Sequence, residues 1–287
     1  MRLAMYSVGK SAPCPGLIAG DRIHNIPARM PQAAGTMVEI LASMLNLRPA
    51  LQTLAIDRTG GHALSEVTLH APIPRPGKIM GLGLNYRDHA AEAGMELPKQ
   101  QLWFAKMPTA TNDPYAPIQL PRVSDKLDYE AELAIVIGRR GRHIARDQAR
   151  SYIAGYCAAN DVSVRDWQFH TSQFVLGKSF DTHAPFGPWI VTPDEIGDVQ
   201  NLGIRCTVNG ELRQDSSTRE MVFDCYAMVE HLSKAMTLEP GDVIFTGTPA
   251  GVGAVSKPPR YLKAGDVVRV EIDGIGHIEN RVVPEPG

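Results

Sequence analysis

Beyond residue 71 the chain strings together segments of strand character with hardly a helix between them. KIMGLGLNY, APIQLP, EAELAIVIG, SYIAGYCAAND, GPWIVT, IRCTVNGELRQ, DVIFTGTP and DVVRVEIDGIGHIENRVV are short apolar or alternating runs bounded by Gly, Pro, Asn or Asp. Parallel strands need a crossover of a dozen or more residues, usually helical. Only two segments there read as helices, one around YRDHAAEAG and one around MVFDCYAMVEHLSKAM. Regular βαβ alternation is therefore missing, which argues against a Rossmann or TIM layout and predicts an α+β fold dominated by mixed sheet. Asn209-Gly210, between IRCTV and ELRQ, predicts a tight hairpin. The second helix would set Met221, Tyr226 or Cys225, Met228, Val229, Leu232 and Met236 on an apolar face, as core packing.

Residues 1–70 read as a small separate N-terminal domain, with residues 71–287 as the larger catalytic domain. RLAMYSVG and PGLIAGDRIHNI predict short strands, with Gly20-Asp21 as a hairpin signal. A helix is expected near MVEILASMLNL, where Met37, Ile40, Leu41, Met44 and Leu45 recur at helical spacing. The stiff, Pro-rich APIPRPGK at 71–78 suits a linker or domain entry.

Composition narrows the class of partner. The 287 residues are 44% hydrophobic and 21% charged, enough for a real core and not the profile of a disordered chain. A net charge of -2 and a pI near 6.5 give no reason to expect nucleic acid, and Arg139, Arg140 and Arg142 read as a solvated turn after a strand. The four cysteines form no CxxC pair, and Cys157 and Cys206 read as small core residues, which fits a reducing, cytoplasmic compartment. The N-terminus lacks a continuous apolar core of signal-peptide length, and no run approaches the roughly 18 apolar residues of a membrane span. A soluble protein without a targeting segment is expected.

The chemistry concentrates in acidic residues. In DYEAELAIVIG at 128–138, strand alternation sends Glu130 and Glu132 to one face, roughly 7 Å apart, and Tyr129, Ala131, Leu133 and Ile135 to the other. Two carboxylates leading into an apolar strand repel each other if buried, unless a cation neutralises them. A hard divalent ion does so with oxygen ligands. Taken alone, the pair also fits a half-exposed strand with both acids in water. In YCAANDVSVRDWQ at 156–168 an apolar strand ends at Asp161, which could complete a three-carboxylate site or simply cap a turn. Gly177-Lys178-Ser179 is no phosphate loop, because that motif needs glycine where Ser172 stands. No Gly-x-Ser-x-Gly elbow marks a serine hydrolase.

Five ordered motifs carry a resemblance. GLNYRDHAAE, YEAEL, NDVSVRDWQ, LGKSFDTHAPFGPW and PGDVIFTGTPAGVG, from about residue 72 to the C-terminus, resemble the fumarylacetoacetate hydrolase family. KPPRYLKAGDVV and the overall length look most like its bacterial 2,4-diketo-3-deoxy sugar acid hydrolases and acylpyruvases. The resemblance implies a mixed-β core of roll or sandwich character with a small N-terminal domain, and a homodimer. It implies Glu130, Glu132 and Asp161 as ligands of Mg²⁺ or Mn²⁺. It implies His89 and Glu92 as a catalytic pair, Lys178 as a lysine facing the substrate, and Arg165, Gln168 and Thr248 as substrate-binding positions. The larger animal-type enzyme has a further aspartate ligand where Leu82 stands here, which implies three protein carboxylates with waters filling the rest.

The expected activity is hydrolysis of a carbon–carbon bond in a 2,4-dioxo acid through a pyruvate enolate. His89 and Glu92, three apart on a helical turn, would share a face, with the carboxylate orienting the imidazole as a base toward water. Metal charge and Lys178 would stabilise the enolate, and Arg165 would hold the substrate carboxylate. The same enolate serves oxaloacetate decarboxylation and 2-oxo acid isomerases or hydratases, and a non-catalytic metal-stabilised scaffold stands as the reading from another class. GTPAGVG at 247–253 reads as a tight loop beside the site or a plain turn; His170 and His183, flanking the Lys178 segment, as surface or structural residues or as lining of the pocket or a mobile loop; and Trp103, Trp167 and Trp189 as core or rim packing rather than substrate platforms.

Overall fold

The computed structural model describes residues 1–33 and 35–287. The predicted α+β class holds: a large mixed sheet is packed against a smaller one. In spatial order the main path runs His62–Ala63, Arg22–Asn25, Cys14–Ala19, Arg2–Ser7, Ala184–Val191, Ile153–Asn160, Ala131–Ile137, Val243–Phe245, Ile79–Gly83 and Leu102–Lys106. The five-stranded sheet runs Glu211–Ser217, Gly203–Val208, Val267–Ile272, Gly276–Pro284 and Ile118–Leu120. Most neighbours are antiparallel; Val243–Phe245 lies parallel to Ile79–Gly83.

The Ala131–Ile137 strand shows how alternation builds two cores. Leu133, Ile135 and Ile137 enter the apolar layer shared with Ile204, Val268, Val270 and Ile278 of the smaller sheet. Ala134 and Val136 enter a second layer on the opposite face, with Ile40, Leu47, Leu51 and Leu54 of the N-terminal helices. A strand covered on both faces holds no charge cheaply, so the acids at its start are a site of tension.

The strands of residues 1–70 hydrogen-bond into the same sheet, Arg2 and Leu3 pairing with Val191 and Ile190. Ala19 pairs with Arg22 around Gly20, whose φ of 65° suits the expected turn. The expected helix is two, Met37–Ala42 and Met44–Ala55, broken at Ser43. The first is nucleated by a capping box between Thr36 and Glu39. The break resets the helical phase, so Leu47, Leu51 and Leu54 form the second buried stripe and Leu45, expected on the apolar face, is 77% exposed. Asn209 and Gly210, both at positive φ, make the expected tight hairpin.

Ser7, His70 and Asp113 form a hydrogen-bonded chain, Ser7 Oγ to His70 Nε2 and His70 Nδ1 to Asp113 Oδ2, each 2.8 Å. Ser7 is buried, so this chain pins the first strand to its neighbour rather than presenting a nucleophile.

His183 gives a stability prediction. It is fully buried, its Nε2–H donating to Gln119 O at 2.8 Å, and burial pushes its pKa down to about 3. The folded protein therefore refuses a proton that the unfolded chain takes up below the ordinary histidine value. Stability is complete above that value and is lost as pH falls toward about 3. The share lost by pH 5 is about 2 kcal/mol. Urea unfolding at pH 7 and pH 5 should show this difference shrinking in His183→Gln; an unchanged difference would refute the assignment.

Candidate active site

Strand register brings the acids together. Ala131 pairs with Asn160 and Glu132 with Ala159. One step past the ladder, Asp161 N–H donates to Glu130 O at 2.9 Å, and Asn160 Oδ1 accepts from Glu130 N at 2.9 Å. On the other side Ala134 pairs with Phe245, and past that ladder Gly247 N–H donates to Glu132 Oε2 at 2.7 Å. One carboxylate oxygen from each of Glu130, Glu132 and Asp161 lies within 4.8 Å of the other two, and all three residues are buried. The half-exposed alternative is excluded.

Cations surround them. Lys178 Nζ donates to Glu130 Oε2 at 2.7 Å and Asp161 Oδ2 at 2.6 Å, and lies over the Phe104 ring. Lys106 Nζ donates to Asp161 Oδ1 at 2.5 Å and to Val162 O. Arg165 Nη2 is 2.6 Å from Glu130 Oε1 and 2.9 Å from Asp128 Oδ2, while Nη1 donates to Gln168 Oε1 at 3.0 Å. Burial raises the Glu130 pKa, but Arg165 and then Lys178 outweigh it and hold that carboxyl far below its usual range. Burial depresses the Lys106 ammonium against the pull of Asp161. It also opposes the charge on Lys178, where Asp161 and Glu130 prevail and the pKa rises.

Glu132 is the exception. Among the described residues it makes no ion pair, and burial, then the charges of Asp161 and Glu130, raises its pKa well above the usual range. Four buried carboxylates, Asp128 included, face three buried cations. The carboxyl without a matching cation is Glu132. A donor set of carboxylate oxygens only, with one carboxyl unmatched by a cation, fits a hard divalent cation.

Glu92 and Thr248 meet at the 247–253 segment, whose Gly247 also holds Glu132. His89 and Glu92 share the Arg87–Glu92 helix, His89 Nδ1 standing 3.5 Å from Glu92 Oε2. That is contact distance rather than a good hydrogen bond, and His89 Nδ1 is buried without a hydrogen-bond partner. Glu92 is held instead by Gly251 N–H, 3.0 Å from each of its oxygens. Thr248 Oγ1 accepts from Gln214 Nε2 at 2.9 Å, directly after Gly247. The 247–253 segment is thus the tight loop beside the site. His170 is exposed and tilted against Trp167, and Trp103, Trp167 and Trp189 pack against the core.

Lys106, Asp128 and Gln214 escaped the sequence reading. Asp128 had a signal: it precedes Glu130 and Glu132 in the same alternation. Lys106 ends a short strand and looks like an ordinary edge lysine. Gln214, whose Oε1 accepts from Ala131 N, has no local signal at all.

A mixed sheet that carries a buried, cation-seeking acidic triad at the ends of its central strands defines a metal-dependent enzyme acting on small molecules. Residues 78–283 match the family model described as fumarylacetoacetate (FAA) hydrolase C-terminal, and the chain belongs to the fumarylacetoacetate hydrolase family. It is 50% identical over 240 residues to oxaloacetate tautomerase fahd2, mitochondrial, of Xenopus laevis, covering 82% of this chain and 75% of the relative. It is 43% identical over 294 residues to oxaloacetate tautomerase FAHD2B, mitochondrial, of Bos taurus, covering 99% and 92%. Its fold is similar to maleylpyruvate hydrolase from Sphingobium sp. SYK-6, solved with manganese(II) and pyruvate. That match has a TM-score of 0.83 and 33% identity, and covers 100% of both chains. No helix among the described residues is long and apolar enough to cross a membrane.

Proposed function

We propose that this protein interconverts the enol and keto forms of oxaloacetate, a proton transfer at the carbon next to the 2-oxo group. The observation that carries the reading is the buried Glu130–Glu132–Asp161 triad, edged by Lys178 and Arg165, in a chain 43–50% identical to proteins named as oxaloacetate tautomerases. Glu130, Glu132 and Asp161 are the residues that would hold Mg²⁺ or Mn²⁺. Such an ion supplies Lewis-acid polarisation of a 2-oxo group. Arg165, backed by Gln168, binds the substrate carboxylate, and Thr248 lines the same end. The Lys178 ammonium offsets negative charge developing on the 2-oxo oxygen. His89, steered by Glu92, delivers a proton to C3 and takes up the one the enol hydroxyl gives up, so atoms and charge balance.

Hydrolysis of a carbon–carbon bond in a 2,4-dioxo acid is the second reading. It is favoured by the His89–Glu92 pair, which could activate water, and by the likeness to a maleylpyruvate hydrolase. A homodimer of two such subunits, in a cytoplasmic setting, belongs to the same proposal.

The test measures loss of enol absorbance from oxaloacetate, pyruvate release from oxaloacetate, and cleavage of an acylpyruvate panel. Each assay runs with Mg²⁺ or Mn²⁺, and again after EDTA. Metal-dependent tautomerisation faster than the other two is expected. Faster acylpyruvate cleavage would select the second reading, pyruvate release from oxaloacetate would select decarboxylation, and turnover unaffected by chelation would defeat all three. A protein inert toward every 2-oxo acid would be the non-catalytic scaffold.

A further inference from the structure

Asp128 is a fully buried carboxylate that no step above uses. Its Oδ1 accepts from Gly253 N at 2.8 Å and Tyr129 N at 2.9 Å, and its Oδ2 accepts from Ala254 N at 2.9 Å and Arg165 Nε at 2.9 Å. Arg165 Nη2 lies at 2.9 Å from the same Oδ2. One carboxylate therefore fastens the guanidinium to the end of the 247–254 loop. The approach leaves no room for a side chain, since a Cβ on Gly253 would stand 2.6 Å from Asp128 Oδ1 and 2.3 Å from Arg260 O. Further back, the same loop gives Gly251 N–H to Glu92 and Gly247 N–H to Glu132.

We propose that Asp128 is a positioning residue that makes Arg165 and the 247–254 loop one rigid unit, setting the guanidinium for a substrate carboxylate. The inference rests on the reading of Arg165 as the carboxylate-binding group. Without Asp128 the guanidinium has Glu130 as its remaining anion and turns toward the triad. Loop and arginine then move independently.

Asp128→Asn keeps the shape but turns an amide donor toward the loop N–H groups or the guanidinium. It is expected to lower kcat/KM for oxaloacetate roughly 10- to 100-fold, the usual cost of removing an orienting partner. The loss should fall mainly in KM, with weaker binding of oxalate to the Mn²⁺-loaded protein. Gly253→Ala disturbs the junction from the loop side without altering charge and should give the same KM-weighted loss, so the test survives if Asp128→Asn folds poorly. In a double-mutant cycle, Asp128→Asn should add almost nothing to Arg165→Gln. Additive losses, or wild-type KM and oxalate affinity in Asp128→Asn, would overturn the proposal. Hydrogen exchange decides the coupling without turnover: the Gly253 and Ala254 amides should exchange faster in Arg165→Gln as well as in Asp128→Asn. Unchanged exchange in Arg165→Gln overturns it even if the wild type converts no 2-oxo acid, an outcome that would sink only the functional reading.

Discussion

Asp161→Asn is expected to lower kcat/KM by about 10³-fold or more, because a metal's share of charge stabilisation amounts to several kcal/mol and each tenfold of rate corresponds to about 1.4 kcal/mol. Asp161 does two jobs. Its oxygens close the acidic triad, and it is the anion shared by Lys106 on Oδ1 and Lys178 on Oδ2. The amide keeps the side-chain volume but removes the charge, leaving Lys106 without its only ion pair among the described residues. Breaking a buried pair costs about 3–5 kcal/mol, so the melting temperature should fall as well. Mn²⁺ titration followed by calorimetry separates the two effects. The variant should lose affinity for the ion even where circular dichroism shows it folded. Wild-type Mn²⁺ affinity in a folded Asp161→Asn protein would remove the triad from the metal's account.

The dependence on Asp161 also shows what one sequence can disclose. Alternation alone put Glu130 and Glu132 on a shared face, since the pleat fixes side-chain direction two residues at a time. That Asp161 would join them depends on register, Ala131 against Asn160, and register is decided by pairing over the whole strand. Lys106 reaches Asp161 from a strand on the far side of Val243–Phe245 and Ile79–Gly83, an order set by tertiary packing rather than local pattern. Asp128 could have been read from its parity with the two glutamates. Its partnership with Arg165 and the loop N–H groups could not, because those donors come from segments 37 and more than 120 residues away. Leu45 failed for a different reason: a break at Ser43 shifts the phase of everything after it, and a continuous helical wheel cannot foresee a break.

His89→Gln is expected to cut kcat by about 10²- to 10⁴-fold if His89 is the proton-transferring base, while leaving Mn²⁺ affinity near the wild-type value, because His89 is not one of the three clustered acids. Glu92→Gln should cost less. Its amide oxygen can still accept from Gly251 N–H, so the loop contact survives while the negative charge beside the imidazole is gone. The two variants together discriminate among the reactions the triad can support. Tautomerisation and hydrolysis both need a group to move a proton, at carbon in one case and from water in the other, so both should fall with His89. Loss of carbon dioxide from oxaloacetate needs no base for the bond-breaking step, so a decarboxylase would keep most of its rate in His89→Gln while losing it in Asp161→Asn. The contact of 3.5 Å between His89 and Glu92 is loose, and catalytic hydrogen bonds often tighten only when substrate is bound. If the pair works as a unit, Glu92→Gln should add little to the loss already caused by His89→Gln. Full activity in His89→Gln would return the helix Arg87–Glu92 to a purely structural part and leave the acidic centre to act without it.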